Sequence, residues 1–236
     1  MDDVRALDEN IWVIDHPFSM PGGIELGART TIVRLSDGGL WIHSPGPLSE
    51  AAKAWLTDHG PVKAIVAPNL LHHFFLTDAI AAFPDASVYG PEGLQEKLGA
   101  KLAGTTVHTL DPTDPAEHPW PGDLACMRVG GCPAMNELVF LHPRTRTLIL
   151  TDLAFNVRRS DSFVTRVFLR INNAFGKFGP SRLARTVFFK DKAQVRAAIE
   201  RILGWDFDRV VVSHGDVLES KGPATLRDSY SWLLSS

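Results

Sequence analysis

Along the chain, short apolar runs alternate with apolar stripes of helical period. Residues 11–14 (IWVI), 30–35 (TTIVRL) and 40–43 (LWIH) are compact apolar runs bounded by turn residues, the pattern of buried strands. Ser36-Asp37-Gly38-Gly39 predicts a tight hairpin between the second and the third. Beyond the rigid Ser44-Pro45-Gly46-Pro47 loop, Ala51, Ala52, Trp55 and Leu56 share one face. A helix is therefore predicted from a Ser49 cap to about His59, where Gly60-Pro61 stops it. Val62 to Ala67 reads as a strand, Leu76–Phe83 as a helix, Ala86–Tyr89 as a strand and Pro91 to about Leu102 as a second surface helix.

The second half repeats the alternation. Residues 104–124 are rich in proline and mixed charge and predict a surface connection with strand fragments. Leu124–Val129, Glu137–His142 and Thr147–Leu150 predict consecutive strands, the last two joined by a turn at Pro143-Arg144-Thr145. Phe163, Val164, Val167, Phe168, Ile171 and Phe175 recur at helical spacing. Asp191 then caps a helix from Lys192 to Leu203, Val210–Val212 forms a last core strand, and a helix from about Pro223 to Leu234 closes the chain. Strands alternating with helices point to α/β layers rather than a helical bundle.

Composition narrows the picture. With 236 residues and 44% hydrophobic content, the chain can bury one sizeable core. A net charge of −3 argues against a general nucleic-acid binder. Cys126 and Cys132 give no disulfide framework, which fits a reducing compartment. The N-terminus MDDVRALDEN has no apolar h-region, and no run approaches the roughly 20 apolar residues of a membrane span. The expectation is a cytoplasmic protein with no transmembrane segment. Charge is uneven, however: residues 158–192 hold nine Lys or Arg against two Asp, a local +7 against −10 elsewhere. This basic helical insert, at about 156–190, has several readings. It is a lid bringing Arg158, Arg159 or Arg166 to an anionic small-molecule substrate, an interfacial helix, or a helix packed on the core or forming a homodimer interface with its arginines solvated.

Candidate chemistry sits where strands stop. The strand through Ala64–Ala67 ends at Pro68-Asn69 and is followed by His72-His73. The strand at Thr147–Leu150 runs into Asp152, and that at Val210–Val212 into Ser213-His214-Gly215-Asp216. Imidazole and carboxylate are ligands that zinc, iron and manganese accept, and ligands from separate strand ends can converge on one ion. His72, His73, Asp152 and His214 are accordingly the candidate metal set. No G-x-S-x-G elbow is present to support a serine hydrolase.

The succession IWVID, TTIVRLSDGGLWIHSPG, AIVAPNLLHHFFLTDAIAAFPDASVYGPEGL, LVFLHPRTRTLILTDLAF and VVVSHGD resembles the metallo-β-lactamase superfamily, and within it a domain-of-unknown-function branch. The resemblance covers nearly all of the chain outside the basic insert. It implies one αββα sandwich domain over residues 1–236, with the site at the seam of the two sheets. It also implies metal-dependent hydrolysis of an ester, lactone, thioester or phosphoester. Asp152 matches the family's bridging aspartate and His214 its terminal histidine. The hallmark His-x-His-x-Asp-His run is not reproduced: Asn69 stands in its first histidine slot and Leu71 in its second, with His72 and His73 offset. No histidine occurs around Gly130-Gly131-Cys132-Pro133, where Cys132 or Glu137 are the nearby substitutes, and His43 replaces an early aspartate. These departures imply either one re-coordinated divalent ion, with Asp152 both ligand and orienter of water, or a metal-free binding module.

Overall fold

The computed structural model describes residues 4–112 and 118–235. In chain order the strands are β1 (Arg5–Asp8), β2 (Ile11–His16), β3 (Ser19–Met20), β4 (Ile24–Glu25), β5 (Ala28–Arg34), β6 (Leu40–His43), β7 (Val62–Val66), β8 (Ser87–Gly90), β9 (Val107–Thr109), β10 (Ala125–Arg128), β11 (Leu138–His142), β12 (Thr147–Ile149) and β13 (Arg209–Val211). The helices are α1 (Glu50–His59), α2 (Leu76–Ala82), α3 (Leu94–Leu98), α4 (Phe163–Ile171), α5 (Lys192–Leu203), α6 (Gly222–Ser229) and α7 (Ser231–Leu234).

Seven strands form one sheet in the order β1-β2-β5-β6-β7-β8-β9, and β10-β11-β12-β13 form a second. The period-2 alternation of strand side chains explains how the sheets stack. Trp41, Ala64 and Val66 of the first sheet and Leu138, Phe140 and Ile149 of the second share one cluster between the sheets. The alternate residues Ile42 and Ile65 point the other way, onto Ala52 and Leu56 of α1 and Leu76 of α2. Val139, Leu148 and Val210 likewise point away from the first sheet, onto Val195 and Ile199 of α5 and Leu226 of α6. The layers are therefore helix, sheet, sheet, helix, the αββα sandwich.

Local chemistry placed most boundaries. Ser49 Oγ accepts the Ala52 N–H at 3.1 Å and starts α1, and Asp191 Oδ1 accepts the Gln194 N–H at 3.1 Å and starts α5. The second surface helix is shorter than its periodicity predicts, because Gly99 at φ 49° breaks α3 into a following 3-10 turn. The closing helix is broken at Tyr230, whose buried hydroxyl donates to the Leu153 carbonyl at 2.8 Å. Within the connection at 104–124, β9 is the strand fragment; residues 113–117 lie outside the described residues. No helix among the described residues is long and apolar enough to cross a membrane.

The basic insert forms α4 and a π-helical turn over Ala184–Phe188. It rests on the β3–β4 hairpin through a small cluster of Leu26, Val157, Leu169 and Ala174. Thr165 Oγ1 fastens the two, accepting the Glu25 N–H at 2.8 Å.

Candidate metal centre

Three chain segments bring His72, Asp152 and His214 together at the seam of the sheets, their ligand atoms within 4.8 Å of one another. His72 Nε2 lies 3.3 Å from Asp152 Oδ2, and His214 Nε2 lies 3.6 Å from Asp152 Oδ1. His73 is not part of this group. It is half-buried and stacks on Phe74 with ring centroids 5.2 Å apart. The adjacent histidines diverge because Asn69 Oδ1 accepts both the Leu71 N–H (2.8 Å) and the His72 N–H (2.7 Å). This Asx turn fixes the loop so that His72, and not its neighbour, faces inward. Asn69 caps that loop rather than α2, whose N-cap is Phe75.

Each imidazole is held by its other nitrogen. His214 Nδ1 is 2.7 Å from the Gly27 carbonyl, which can only accept, so Nδ1 carries a proton and Nε2 is the nitrogen turned toward Asp152. Phe155 stacks on its ring at 5.0 Å. His72 Nδ1 lies 2.9 Å from Ser44 Oγ. Ser44 sits at the end of β6 with φ 53°, a left-handed conformation uncommon outside glycine, which turns its hydroxyl toward the cluster.

Asp152 is braced from beneath. Asn69 Nδ2 donates to its Oδ2 at 2.8 Å. The fully buried Glu137 carboxylate accepts the backbone N–H groups of Thr151 (2.8 Å), Asp152 (2.8 Å) and Leu153 (3.2 Å). Glu137 is thus a support under the Asp152 loop, and Cys132 donates its thiol to the Val129 carbonyl. Neither joins the ligand group. Burial and the neighbouring Asp152 charge push the Glu137 pKa up to about 7, although its backbone donors favour the ionised form. Burial also opposes charge on Asp152, but His72 and His214 outweigh it and hold its pKa below the usual carboxylate range. For His72 burial is again outweighed, by Asp152 and then Glu137, and its pKa is raised.

The His214 loop is clamped across the sandwich by Arg29, a buried guanidinium that donates to the Val212 and Gly215 carbonyls at 2.7 Å each. Gly215 has φ 96°, and a Cβ there would lie 2.3 Å from the Asn156 carbonyl, so glycine alone fits this corner.

His43 lies behind the cluster, between the sheets. It stacks on Trp41 at 5.4 Å and meets Phe140 edge-on. Neither ring nitrogen has a hydrogen-bond partner among the described residues. Burial, with the nearby His72, lowers its pKa to about 3. Above pH ~6.5 neither the folded nor the unfolded state protonates it. Below that, the unfolded chain takes up a proton the folded chain refuses until about pH 3, so stability falls through this window. At full extent the loss is roughly 4–5 kcal/mol. His43→Phe keeps the stacking and removes the titration. Its melting temperature is expected to fall less than that of the unaltered protein between neutral pH and pH 4, and equal slopes would refute this assignment.

The cluster opens into a cavity of about 560 Å³. Its walls are mainly apolar and include Phe18, Leu26, Leu71, Phe155, Phe168 and Phe188. Arg158, Arg159 and Arg166 do not line it; among its lining residues the sole permanently cationic side chain is Lys97. The lid reading of the insert survives only for its apolar face.

Sequence reasoning singled out Asp152, His214 and His72 but missed Ser44, Arg29 and the carbonyl of Gly27. A buried arginine within an apolar strand was the one available signal. The other two act through loop geometry.

A sandwich of two sheets between helices, with imidazoles and a carboxylate converging at the sheet seam, defines the metallo-β-lactamase fold. The chain is similar over its whole length to a metallo-β-lactamase from Pontibacter korlensis, at 18% identity and a TM-score of 0.66, with 99% of each chain covered. It is likewise similar to a metallo-β-lactamase from Hirschia baltica, at 12% identity and TM-score 0.66, covering 98% of this chain and 97% of that one. It is also similar to a flavodiiron core, Flv1 of Synechocystis sp. PCC6803, at 13% identity and TM-score 0.67, covering 99% of this chain and 60% of that one. The family model described as a domain of unknown function, DUF4336, matches residues 8–170, and the chain belongs to that family. No curated protein matches it.

Proposed function

We propose that the protein is a metal-dependent hydrolase holding one divalent ion through His72 Nε2, Asp152 and His214 Nε2. The observation that carries this reading is the convergence of three ligand atoms whose imidazoles are already oriented for binding. The tetrahedral edge of a zinc site with bonds of about 2.0–2.1 Å is roughly 3.3–3.4 Å. His72 Nε2 lies 3.3 Å from one Asp152 oxygen and His214 Nε2 3.6 Å from the other, close to that span, and the three ligand atoms, within 4.8 Å of one another, would draw together around an ion. Zinc suits this donor set best, and iron or manganese are compatible with it.

A bound ion supplies a nucleophilic water at neutral pH by lowering its pKa. The protein residues do the rest. Asp152 orients the attacking water through the carboxylate oxygen that Asn69 leaves free. The apolar walls hold the substrate and exclude bulk water, which strengthens every electrostatic interaction within. Ser44 and the Gly27 carbonyl hold the two imidazoles in place. The substrate class is a small ester, lactone, thioester or phosphoester.

Turnover of an ester and phosphoester panel is expected to vanish after chelation and to return with zinc, iron or manganese. Turnover indifferent to chelation would count against the proposal. The second reading, a metal-free ligand-binding module, draws on one observation: Asn69 Nδ2, 2.8 Å from Asp152, already satisfies part of the carboxylate without an ion.

A further inference from the structure

Eight large hydrophobic side chains are exposed among the described residues, and each either lines the cavity or sits on an element that does. Met20, Phe74 and Leu183 are themselves cavity-lining residues, with Phe74 65% exposed. Val187 is next to the lining residue Phe188. The other four are on α4, at positions 163, 164, 167 and 171, with Phe163 70% and Ile171 62% exposed. At 100° per residue these four fall within one arc of about 100°. Leu169 lies on the opposite side of α4 and Phe168 only about 40° past the edge of the bare arc, and both wall the cavity, so Phe168 joins the two faces. α4 thus has two apolar faces, one packed inward and one bare.

The bare face is framed by positive charge. Arg170 and Arg182 are exposed beside it, Arg158 and Arg159 precede α4, and the whole segment carries the local +7. The rest of the chain sums to −10, so the net positive charge is concentrated in this segment. A helix with a continuous apolar face flanked by arginines is built to lie in an interface, its apolar side chains among acyl chains and its cations against anionic headgroups. A two-fold pairing with a second copy would set +7 against +7, which opposes self-association through this face.

We infer that the rim formed by α4, the Ala184–Phe188 turn, Phe74 and Met20 docks onto an anionic lipid bilayer, so that the apolar cavity opens directly onto the membrane surface. The charge complementarity selects an anionic surface, and the continuity of the bare face with the cavity wall selects a lipid one. Docking in this orientation gives acyl-bearing molecules an unbroken apolar route from bilayer to cavity. This inference needs no bound metal and stands or falls separately from the hydrolase reading.

The test is flotation of the full chain with vesicles of phosphatidylcholine alone or containing about one third phosphatidylglycerol. Binding is expected on the anionic vesicles, weakened by salt, and weaker by at least about tenfold on phosphatidylcholine alone. The variant F163S/V167S/I171S and the charge reversal R159E/R170E/R182E alter only exposed positions, so their melting temperatures are expected to match the unaltered protein. Each should bind anionic vesicles at least about tenfold more weakly. Absence of binding by the unaltered chain, equal binding to both vesicle types, or unchanged binding by either variant would overturn the inference. So would a solution dimer that F163S/V167S/I171S dissociates, or retention by polyglutamate without retention by vesicles.

Discussion

Replacing either His214 or Asp152 by alanine is expected to lower divalent-ion affinity by more than about 100-fold. Loss of an outer support alone typically costs 10–100-fold, and these residues supply the ligand atoms themselves. His214 offers a nitrogen whose tautomer the Gly27 carbonyl has already set, so the alanine variant removes a ligand that needs no reorganisation. Asp152 touches both imidazoles, so its removal withdraws the only anionic member of the ligand set. The His73→Ala variant is the matched control: its ring stacks outside the cluster, and metal content should be unchanged. Titration of each apo-protein with zinc checks all three. Wild-type affinity in both His214→Ala and Asp152→Ala would refute the site.

Glu137→Ala is expected to be the most destabilising single change near the site, by about 4 kcal/mol. Three backbone N–H groups end on this carboxylate, and Asn69 Nδ2 approaches it at 3.3 Å. Each buried donor left without an acceptor costs about 1–3 kcal/mol. For a chain of this size the melting temperature should drop by roughly 10 °C. Glu137→Gln keeps one acceptor oxygen but sets an amide NH2 against backbone donors, so its loss is expected to be smaller and still measurable. A thermal melt that barely moves in Glu137→Ala would show that the Asp152 loop does not depend on this support.

These expectations rest on a site that was only partly visible in the amino-acid order. The layers were legible because Trp41/Ile42, Ile65/Val66 and Val139/Phe140 alternate in the two-residue period that decides which face each occupies. Asp152 and His214 were legible because each comes three residues after a strand ends, close enough for strand direction to carry it to the seam. His72 and His73 were not separable, since one residue of offset reverses the side chain and the deciding Asx turn depends on which backbone N–H groups Asn69 reaches. Glu137 stood out as a carboxylate near a missing histidine, and its real task, accepting N–H groups across 14–16 residues of chain, is a tertiary fact. Arg29 reaches carbonyls more than 180 residues away, a distance no local pattern encodes. The bare face of α4 was legible as periodicity, whereas its position over the cavity mouth came from packing against β4.

His72, Asp152 and His214 are proposed to hold one divalent ion. Elemental analysis by mass spectrometry, on protein purified without added metal or a metal-binding tag, tests it most directly. About one zinc, iron or manganese per chain is expected, absent from His214→Ala. A protein that carries no metal as isolated and stays empty after incubation with zinc would contradict it.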